Sequence, residues 1–195
     1  MGEKSEQKRE YIITKEKEVF VRKGFRKVTM KDIVEACEIS RGGLYLYFGS
    51  TKEIFFAILS RQWEEEEEEF ERNVGEISTM SDILILFLKE QKKQILRKKD
   101  DITIATYEYL FSCKEEESEE NIFLNQFKKG RMVLAKILEE GIASGEFYCE
   151  DPNRTATNIM YLLEGMKICS RTMGLSENKV DRELLYVISG LLMEE

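Results

Sequence analysis

The side chains best suited to bind a partner lie between positions 40 and 52, in the run SRGGLYLYFGSTK. This run combines two cations, Arg41 and Lys52, with several hydroxyl groups, and both kinds of side chain donate hydrogen bonds to phosphates and to base edges. Gly42 and Gly43 each weaken a helix by about 1 kcal/mol, but they let a backbone approach another molecule closely. We therefore predict that this run recognises nucleic acid through non-covalent contacts.

Three helix start signals position these residues. Thr29 stands three residues before Asp32, in a relative of the capping box, and Ser40 offers the N-cap of a second helix. Ser50 and Glu53 form a fuller capping box for a third helix. The first two predicted helices are short and are joined by a tight turn, which is the helix-turn-helix arrangement.

The second of these helices should run from Arg41 towards Tyr47 and Phe48. In a helix-turn-helix motif, this helix enters the major groove of DNA. Leu44 and Phe48 are four residues apart and share one helix face, so we expect both to contact the protein core. Arg41, Tyr45 and Tyr47 are then left on the other faces.

The segment from Gly24 to Glu53 resembles the N-terminal domain of TetR-type transcriptional regulators. The resemblance covers about residues 8–58 and extends through three helices. The residues that carry it are Gly24-Phe25, Thr29, Ile33, Ser40, Arg41-Gly42, Leu44-Tyr45, Tyr47-Phe48 and Lys52-Glu53. The rest of the chain is similar to the family only in length, helix pattern and the segment 141–147. Lys15 and Glu16 depart from the small alanines of the family, so the packing there must differ.

The resemblance and the residue types together predict the DNA contacts. Arg41 is the best base reader, because a guanidinium can donate to guanine O6 and N7. Tyr45 would contact a base or a phosphate. Leu46 stands where the family often has a polar residue, and it could touch a thymine methyl without donating a hydrogen bond. The whole predicted set is Thr29, Ser40, Arg41, Gly42, Gly43, Tyr45, Leu46, Tyr47 and Lys52, of which Thr29, Tyr47 and Lys52 should hold phosphates.

Composition and charge bound the class of protein. Hydrophobic residues make up 42% and charged residues 35% of the chain, which is typical of a helix-rich soluble protein. No apolar run approaches the roughly 18 residues of a membrane span, so we expect a cytoplasmic protein with no membrane partner. Residues 1–50 carry 11 basic and 8 acidic side chains, against 30 and 38 in the whole chain. A mildly basic head therefore precedes an acidic body, which suits local phosphate contacts.

The chain has no histidine, and its four cysteines are widely spaced. Ser-His-Asp and Cys-His nucleophile systems and histidine-ligated metals are therefore excluded. We predict a protein that is not an enzyme, with no catalytic residue, metal site or cofactor, because no spacing supports carboxylate catalysis. The cysteines are best interpreted as small buried hydrophobes, with a thiol switch at Cys113 or Cys149 as the alternative.

The whole chain has a helical pattern without persistent strand alternation, so we predict an all-α protein of about nine helices. A helix-turn-helix DNA-binding domain would occupy residues 1–50, and a helical domain for effector binding and dimerisation would occupy residues 51–195. The six glutamates at 64–69 predict a solvated helix surface and not a metal site. Outside the motif, the expected helices span about 5–23, 51–70, 79–98, 102–113, 121–144, 153–173 and 177–193.

The resemblance implies a ligand pocket in the body and a dimer interface on the last two helices. Ligand sites are mainly apolar with a few polar groups. The pocket candidates are Trp63, Phe87, Tyr107, Glu108, Phe111, Phe127, Tyr161 and Glu164. Glu108 and Glu164 interrupt apolar segments, and either one needs a cationic partner if it faces inward; the alternative is that both face outward. The broad apolar stripe of the last helix predicts dimer contacts, and the candidates are Gly165, Leu184, Ile188 and Leu191.

These features predict a homodimeric, sequence-specific DNA-binding repressor that a small-molecule effector releases from a palindromic operator. The effector would be apolar or amphipathic, and a cationic ligand is the further alternative. It would shift the population towards a state with lower affinity for DNA. Two alternatives remain from other classes. The head could contact another protein instead of DNA, or the body could hold a carboxylate enzyme site.

Overall fold

A computed structural model describes residues 3–75, 77–98, 101–112 and 121–192 of the chain. Within these ranges it contains nine helices and no strand, which confirms the predicted all-α fold. The helices are α1 (Glu3–Lys23), α2 (Met30–Cys37), α3 (Arg41–Tyr45), α4 (Thr51–Val74), α5 (Met80–Leu96), α6 (Thr103–Ser112), α7 (Ile122–Ala143), α8 (Pro152–Thr172) and α9 (Glu177–Ser189).

Side-chain caps fix the helix starts as predicted. The hydroxyl of Thr29 accepts a hydrogen bond from the Asp32 N–H, and the Asp32 carboxylate accepts one from the Thr29 N–H at 2.9 Å. At α3, Ser40 Oγ accepts from the Gly43 N–H at 3.0 Å. Asp151 caps α8, where proline is the first helical residue. Local sequence therefore places these boundaries to within a residue or two.

Two helices are shorter than predicted. α3 ends at Tyr45, because the N–H groups of Tyr47 and Phe48 both donate to the Leu44 carbonyl in a closing turn. α9 ends at Ser189, and its predicted limit at position 193 lies outside the described residues. The exposed fractions of Leu44 and Phe48 are 0% and 3%, which confirms that both contact the core, although Phe48 lies in the turn after α3.

The described residues form two compact units. The first comprises those of 1–68 and 98–115, and the second comprises those of 69–97 and 116–195. The first unit is larger than the predicted DNA-binding segment 1–50, because α6 and most of α4 pack together with α1, α2 and α3. A division of function at residue 50 stays a prediction.

Aromatic side chains fill the first unit. Phe20, Phe55 and Tyr109 have no exposed area, and the ring of Phe25 lies 4.9 Å from those of Phe55 and Tyr109. Burial of each such side chain contributes about 1.5–3 kcal/mol. The predicted inner face of α1 is confirmed by the burial of Ile12, Val19 and Phe20.

The second unit has an aliphatic core from α5, α7, α8 and α9. Leu84, Leu134, Leu163 and Val180 each have 1% or less of their surface exposed. The chain segment after α7 folds tightly onto this core. At Gly141, a Cβ atom would lie 2.1 Å from Phe147 Cδ2, so only glycine lets the ring pack there.

Glu146 closes the N-terminus of α5. Its carboxylate accepts hydrogen bonds from the Met80 N–H at 3.1 Å, the Ser81 N–H at 2.8 Å and the Ser144 hydroxyl at 2.8 Å. The bonds with Ser81, followed by the bond with Ser144, lower the pKa of Glu146 to about 2. A long-range carboxylate thus satisfies the free N–H groups that begin this helix.

Candidate DNA interface, ligand site and dimer face

In the recognition segment, residues 40–48, one side packs against the protein core and the other side is exposed to solvent. Buried Leu44 and Phe48 hold it to the core. Arg41 is exposed on the opposite side, and Tyr45 and Leu46 have 48% and 81% of their surface exposed. Apolar and aromatic side chains with exposed fractions this large are available to contact a partner.

The two glycines of α3 have different local roles. A Cβ atom added at Gly42 would meet no other atom within 4 Å. One added at Gly43 would lie 3.0 Å from Ser40 Oγ, which is the atom that caps α3. Gly43 therefore serves the cap, whereas the chain itself gives no steric reason for glycine at position 42. This difference agrees with the predicted close backbone approach at Gly42.

Two of the three residues predicted to hold phosphates, Thr29 and Lys52, interact with other side chains of the same chain. The hydroxyl of Thr29 lies 3.0 Å from an Asp32 carboxylate oxygen as part of the capping box. The side chain of Lys23 contacts the same carboxylate at 2.6 Å, and its hydrogen bond lowers the pKa of Asp32 to about 2. Lys52 is exposed, and its Nζ lies 5.1 Å and 5.4 Å from the ring centres of Phe56 and Tyr109. Phosphate contacts by Thr29, Tyr47 and Lys52 stay predictions.

A cavity of about 550 Å³ lies beside the recognition segment and was not predicted from the sequence. Its lining includes Arg9, Ile13, Tyr47, Phe56 and Arg61. The guanidinium of Arg9 lies 5.2 Å from the ring centre of Phe48. This contact joins α1 to the end of the recognition segment, and no spacing in the sequence signals it.

The pocket candidates of the first unit differ in exposure. Trp63 and Tyr107 are half-buried, whereas Phe111 has 81% of its surface exposed. Glu108 accepts a hydrogen bond from the Arg26 N–H at 3.3 Å, and it fills the space where Gly24 would carry a Cβ. This carboxylate therefore binds the backbone after α1, and a role of Glu108 in a ligand pocket stays a prediction.

The pocket candidates of the second unit have three different surroundings. Phe87 is a core residue with 6% exposed area. Phe127 stacks on Tyr161 with ring centres 5.5 Å apart, and Tyr161 has 63% of its surface exposed. Glu164 forms an ion pair with Lys167 at 2.8 Å on the same helix. A ligand role for these residues stays a prediction.

The dimer candidates on α9 differ in burial. Leu184 and Leu191 have only 6% and 3% exposed area and fill the core of their own chain, whereas Ile188 is half-buried and packs partly against that core. Leu184 and Leu191 therefore offer little area for direct contact with a partner, and a dimer role for the three residues stays a prediction. The apolar residues exposed on α9 are instead Leu185 and Tyr186, at 63% and 78%.

The exposed face of α8 fits the dimer prediction better. Tyr161, Gly165 and Ile168 follow one another at spacings of four and three residues, so they share a helix face. All three are exposed, and no atom lies within 4 Å of a Cβ built at Gly165.

Two family models match the chain. Residues 12–58 match the model of bacterial regulatory proteins of the tetR family. Residues 83–181 match the tetracyclin repressor-like C-terminal domain. Together with the helix-turn-helix head, these matches define a DNA-binding transcriptional regulator and not an enzyme. The chain belongs to the TetR family.

Individual relatives agree with this assignment. The HTH-type transcriptional regulator YfiR of Bacillus subtilis is 29% identical over 170 residues, which are 87% of this chain and 82% of YfiR. A transcriptional regulator of Saccharomonospora viridis, solved in complex with choline, has a TM-score of 0.82 at 17% identity and covers 97% of this chain and 100% of its own. FadR of Bacillus subtilis, solved with stearoyl-CoA, has a TM-score of 0.76 at 21% identity, covering 92% of this chain and 97% of its own.

No described helix is both long and apolar enough to cross a membrane. No group of three or more Cys, Asp or Glu residues in the described part of the chain could hold a metal ion. Cys113 lies outside the described residues, and Cys149 is a half-buried free thiol.

Proposed function

We propose that this protein is a homodimeric repressor that binds a palindromic operator and leaves it when a small-molecule effector binds. The observation that carries this proposal is the recognition segment, in which Arg41, Tyr45 and Leu46 are exposed while Leu44 and Phe48 are buried in the core. A rigid base beneath exposed donors is what base reading in a major groove requires. The protein would act in the cytoplasm, where the operator DNA that it binds would lie.

The recognition segment would read few base pairs. Arg41 would donate to guanine O6 and N7, and a good bidentate contact of this kind discriminates by about 1–3 kcal/mol. Tyr45 would contact a base or phosphate, and Leu46 would pack on a thymine methyl. Because one short helix reads so few bases, two heads are needed for a specific site.

Dimerisation would use the exposed faces of α8 and α9. The apolar residues there are Tyr161, Ile168, Leu185 and Tyr186, and Gly165 between them allows a partner helix to approach closely. Two-fold symmetry would set half-sites about 34–36 Å apart or a multiple of that distance.

The effector would bind in the body of the chain. Relatives of the same fold were solved with choline, a small cation, and with stearoyl-CoA, which is amphipathic. We propose an apolar or amphipathic effector here, with a cationic one as the alternative. Release requires that it bind the DNA-free state more tightly than the DNA-bound state. Half-buried Phe127 supplies an aromatic surface for such a ligand, while Tyr161, on which it stacks, belongs to the proposed dimer face.

Selection of bound duplexes from a random library at low and moderate salt tests the proposal. We expect an enriched palindrome, and Arg41→Ala should weaken binding to it by about tenfold or more, which corresponds to 1.4 kcal/mol. Arg154→Ala, which removes an exposed arginine at the start of α8, is the matched control. Enrichment of no motif, or equal loss with both variants, would reject sequence reading by this segment.

A further inference from the structure

A carboxyl group and a thiol form a buried pair beneath the helix-turn-helix. Glu16 on α1 has no exposed area, and Cys37, the last residue of α2, has 2%. The thiol donates a hydrogen bond to Glu16 Oε1 at 2.8 Å. The other oxygen, Oε2, is buried and has no hydrogen-bond partner among the described residues. We call these two residues the buried pair.

An ionised carboxylate is poorly satisfied in this position. A thiol is a weak donor, and a buried charge without a cation or several strong donors is costly. Burial raises the pKa of Glu16 to about 7, against the smaller lowering effect of the Cys37 hydrogen bond. Burial and the adjacent Glu16 raise the pKa of Cys37 to about 12, so the thiol keeps its proton while the carboxyl changes state.

The charged groups around the buried pair do not neutralise it. On α2, Asp32 adds negative charge that further raises the pKa of Glu16, and Asp32 is itself bound by Lys23 at 2.6 Å. On α1, Lys8 and Lys15 act on the thiol, but neither forms an ion pair with Glu16 in the described part of the chain. A proton is therefore the simplest means of removing the buried charge.

The buried pair is placed where it can affect recognition. Cys37 directly precedes Glu38, which adopts the left-handed conformation with φ 53° and donates its N–H to the Val34 carbonyl. Ser40, the cap of the recognition helix, follows two residues later. A shift at the end of α2 therefore passes to α3 through a turn of three residues.

We propose that the buried pair makes DNA binding by this protein pH-dependent, because an ionised Glu16 holds α2 and the recognition helix less firmly than a neutral one. The inference rests on the proposed function for one readout, the affinity for an operator. The other readouts do not use DNA. Failure of the inference can thus be told apart from failure of the proposed function.

The first experiment compares affinity for the selected duplex at about pH 6 and about pH 8.5 in the full chain. We expect binding by the unmodified protein to weaken about tenfold over this range, and binding by Glu16→Gln to change by less than about twofold. Glu18→Gln, the same change on the exposed face of α1, should behave like the unmodified protein. An equal pH dependence in all three proteins would overturn the proposal.

The second experiment measures the titration midpoint of Glu16 by NMR of the labelled carboxyl carbon, with Glu16→Gln used for assignment. Cys37→Ala removes the donor that favours the ionised form, so the midpoint should rise. Cys37→Ser supplies a stronger donor, so the midpoint should fall. If Cys37 only packed against Glu16, the two substitutions would not shift the titration midpoint of Glu16 in opposite directions. A midpoint near that of an ordinary glutamate in the unmodified protein, or shifts in the same direction, would refute the assignment of the buried pair as a proton switch.

Discussion

The recognition segment and the aromatic side chains of the second unit differ in how their surroundings arise. In residues 40–48, a local cap and a four-residue spacing decide which side chains are buried and which are exposed, as Leu44 and Tyr45 show. In the second unit, Phe87 and Tyr161 stand on equally amphipathic helices, yet one is buried and the other is 63% exposed. Local spacing thus decides exposure in the recognition segment, whereas helix-to-helix packing decides the role of an aromatic residue in the body.

In helix α6, too, packing and not position along the chain decides the surroundings of the side chains. It lies within the part of the chain that matches the family's C-terminal domain, yet it packs in the first unit. Its Tyr109 fills the aromatic core there, and its Glu108 binds the backbone N–H of Arg26. The head is therefore completed by a helix that lies far along the chain.

The largest effect on stability should come from removing the packing of α6 in the first unit. Tyr109→Ala deletes a fully buried ring and should lower the free energy of unfolding by about 3–5 kcal/mol. Urea unfolding followed by fluorescence of Trp63, the sole tryptophan, reports on the first unit. Tyr148→Ala, at a residue with 60% exposed area, should change stability by no more than about 0.5 kcal/mol. Similar losses in the two variants would contradict the assignment of α6 to the head.

Two glycines of the second unit differ in their surroundings, because Gly141 is buried and Gly165 is exposed. Gly141→Ala forces a Cβ to within 2.1 Å of Phe147, and overpacking of this kind should cost about 1–3 kcal/mol. Gly165→Ala meets no atom of its own chain within 4 Å, so the folded chain should tolerate it. Circular dichroism melts measure both effects, and sedimentation shows whether Gly165→Ala weakens a dimer. An unchanged dimer would remove Gly165 from the proposed interface.

Gly42→Ala tests the same distinction in the head. Since a Cβ there contacts nothing in the chain, the thermal midpoint should stay the same or rise slightly. DNA affinity should fall by about 1 kcal/mol, or roughly fivefold in Kd, if the backbone approaches DNA closely. Gly43→Ala, which crowds the Ser40 cap, should instead reduce stability. Unchanged DNA affinity in Gly42→Ala would refute close approach at this position.

The smallest effect concerns the cap of α5. Because the pKa of Glu146 is lowered to about 2 from 4.5 in the folded chain, its stabilising contribution is present above about pH 4.5 and is lost as the pH falls towards about pH 2. Urea unfolding over this range should therefore show a steeper loss of stability in the unmodified protein than in Glu146→Gln. Parallel curves would mean that this carboxylate does not stabilise the N-terminus of α5.

Long-range contacts decide the surroundings of several candidate residues. Glu108 interrupts an apolar segment, which indicated a pocket, but its partner is a backbone N–H 82 residues away. Leu184 and Leu191 belong to a broad apolar stripe, but they fill the core of the same chain. When an apolar stripe is broader than one contact face, the sequence does not show which of its residues a neighbouring helix will cover. Exposed Leu185 and Tyr186 could therefore not be distinguished from buried Leu184 and Leu191 in advance.

The sequence by itself determined the all-α class, the helix starts and the recognition segment, because caps, turns and helix faces depend on residues within about four positions of one another. Only the tertiary structure decided that α6 completes the head, that Glu16 is buried against Cys37, and which face of α9 stays exposed. Those features depend on which helices meet, and burial and electrostatics follow from that packing and not from spacing along the chain.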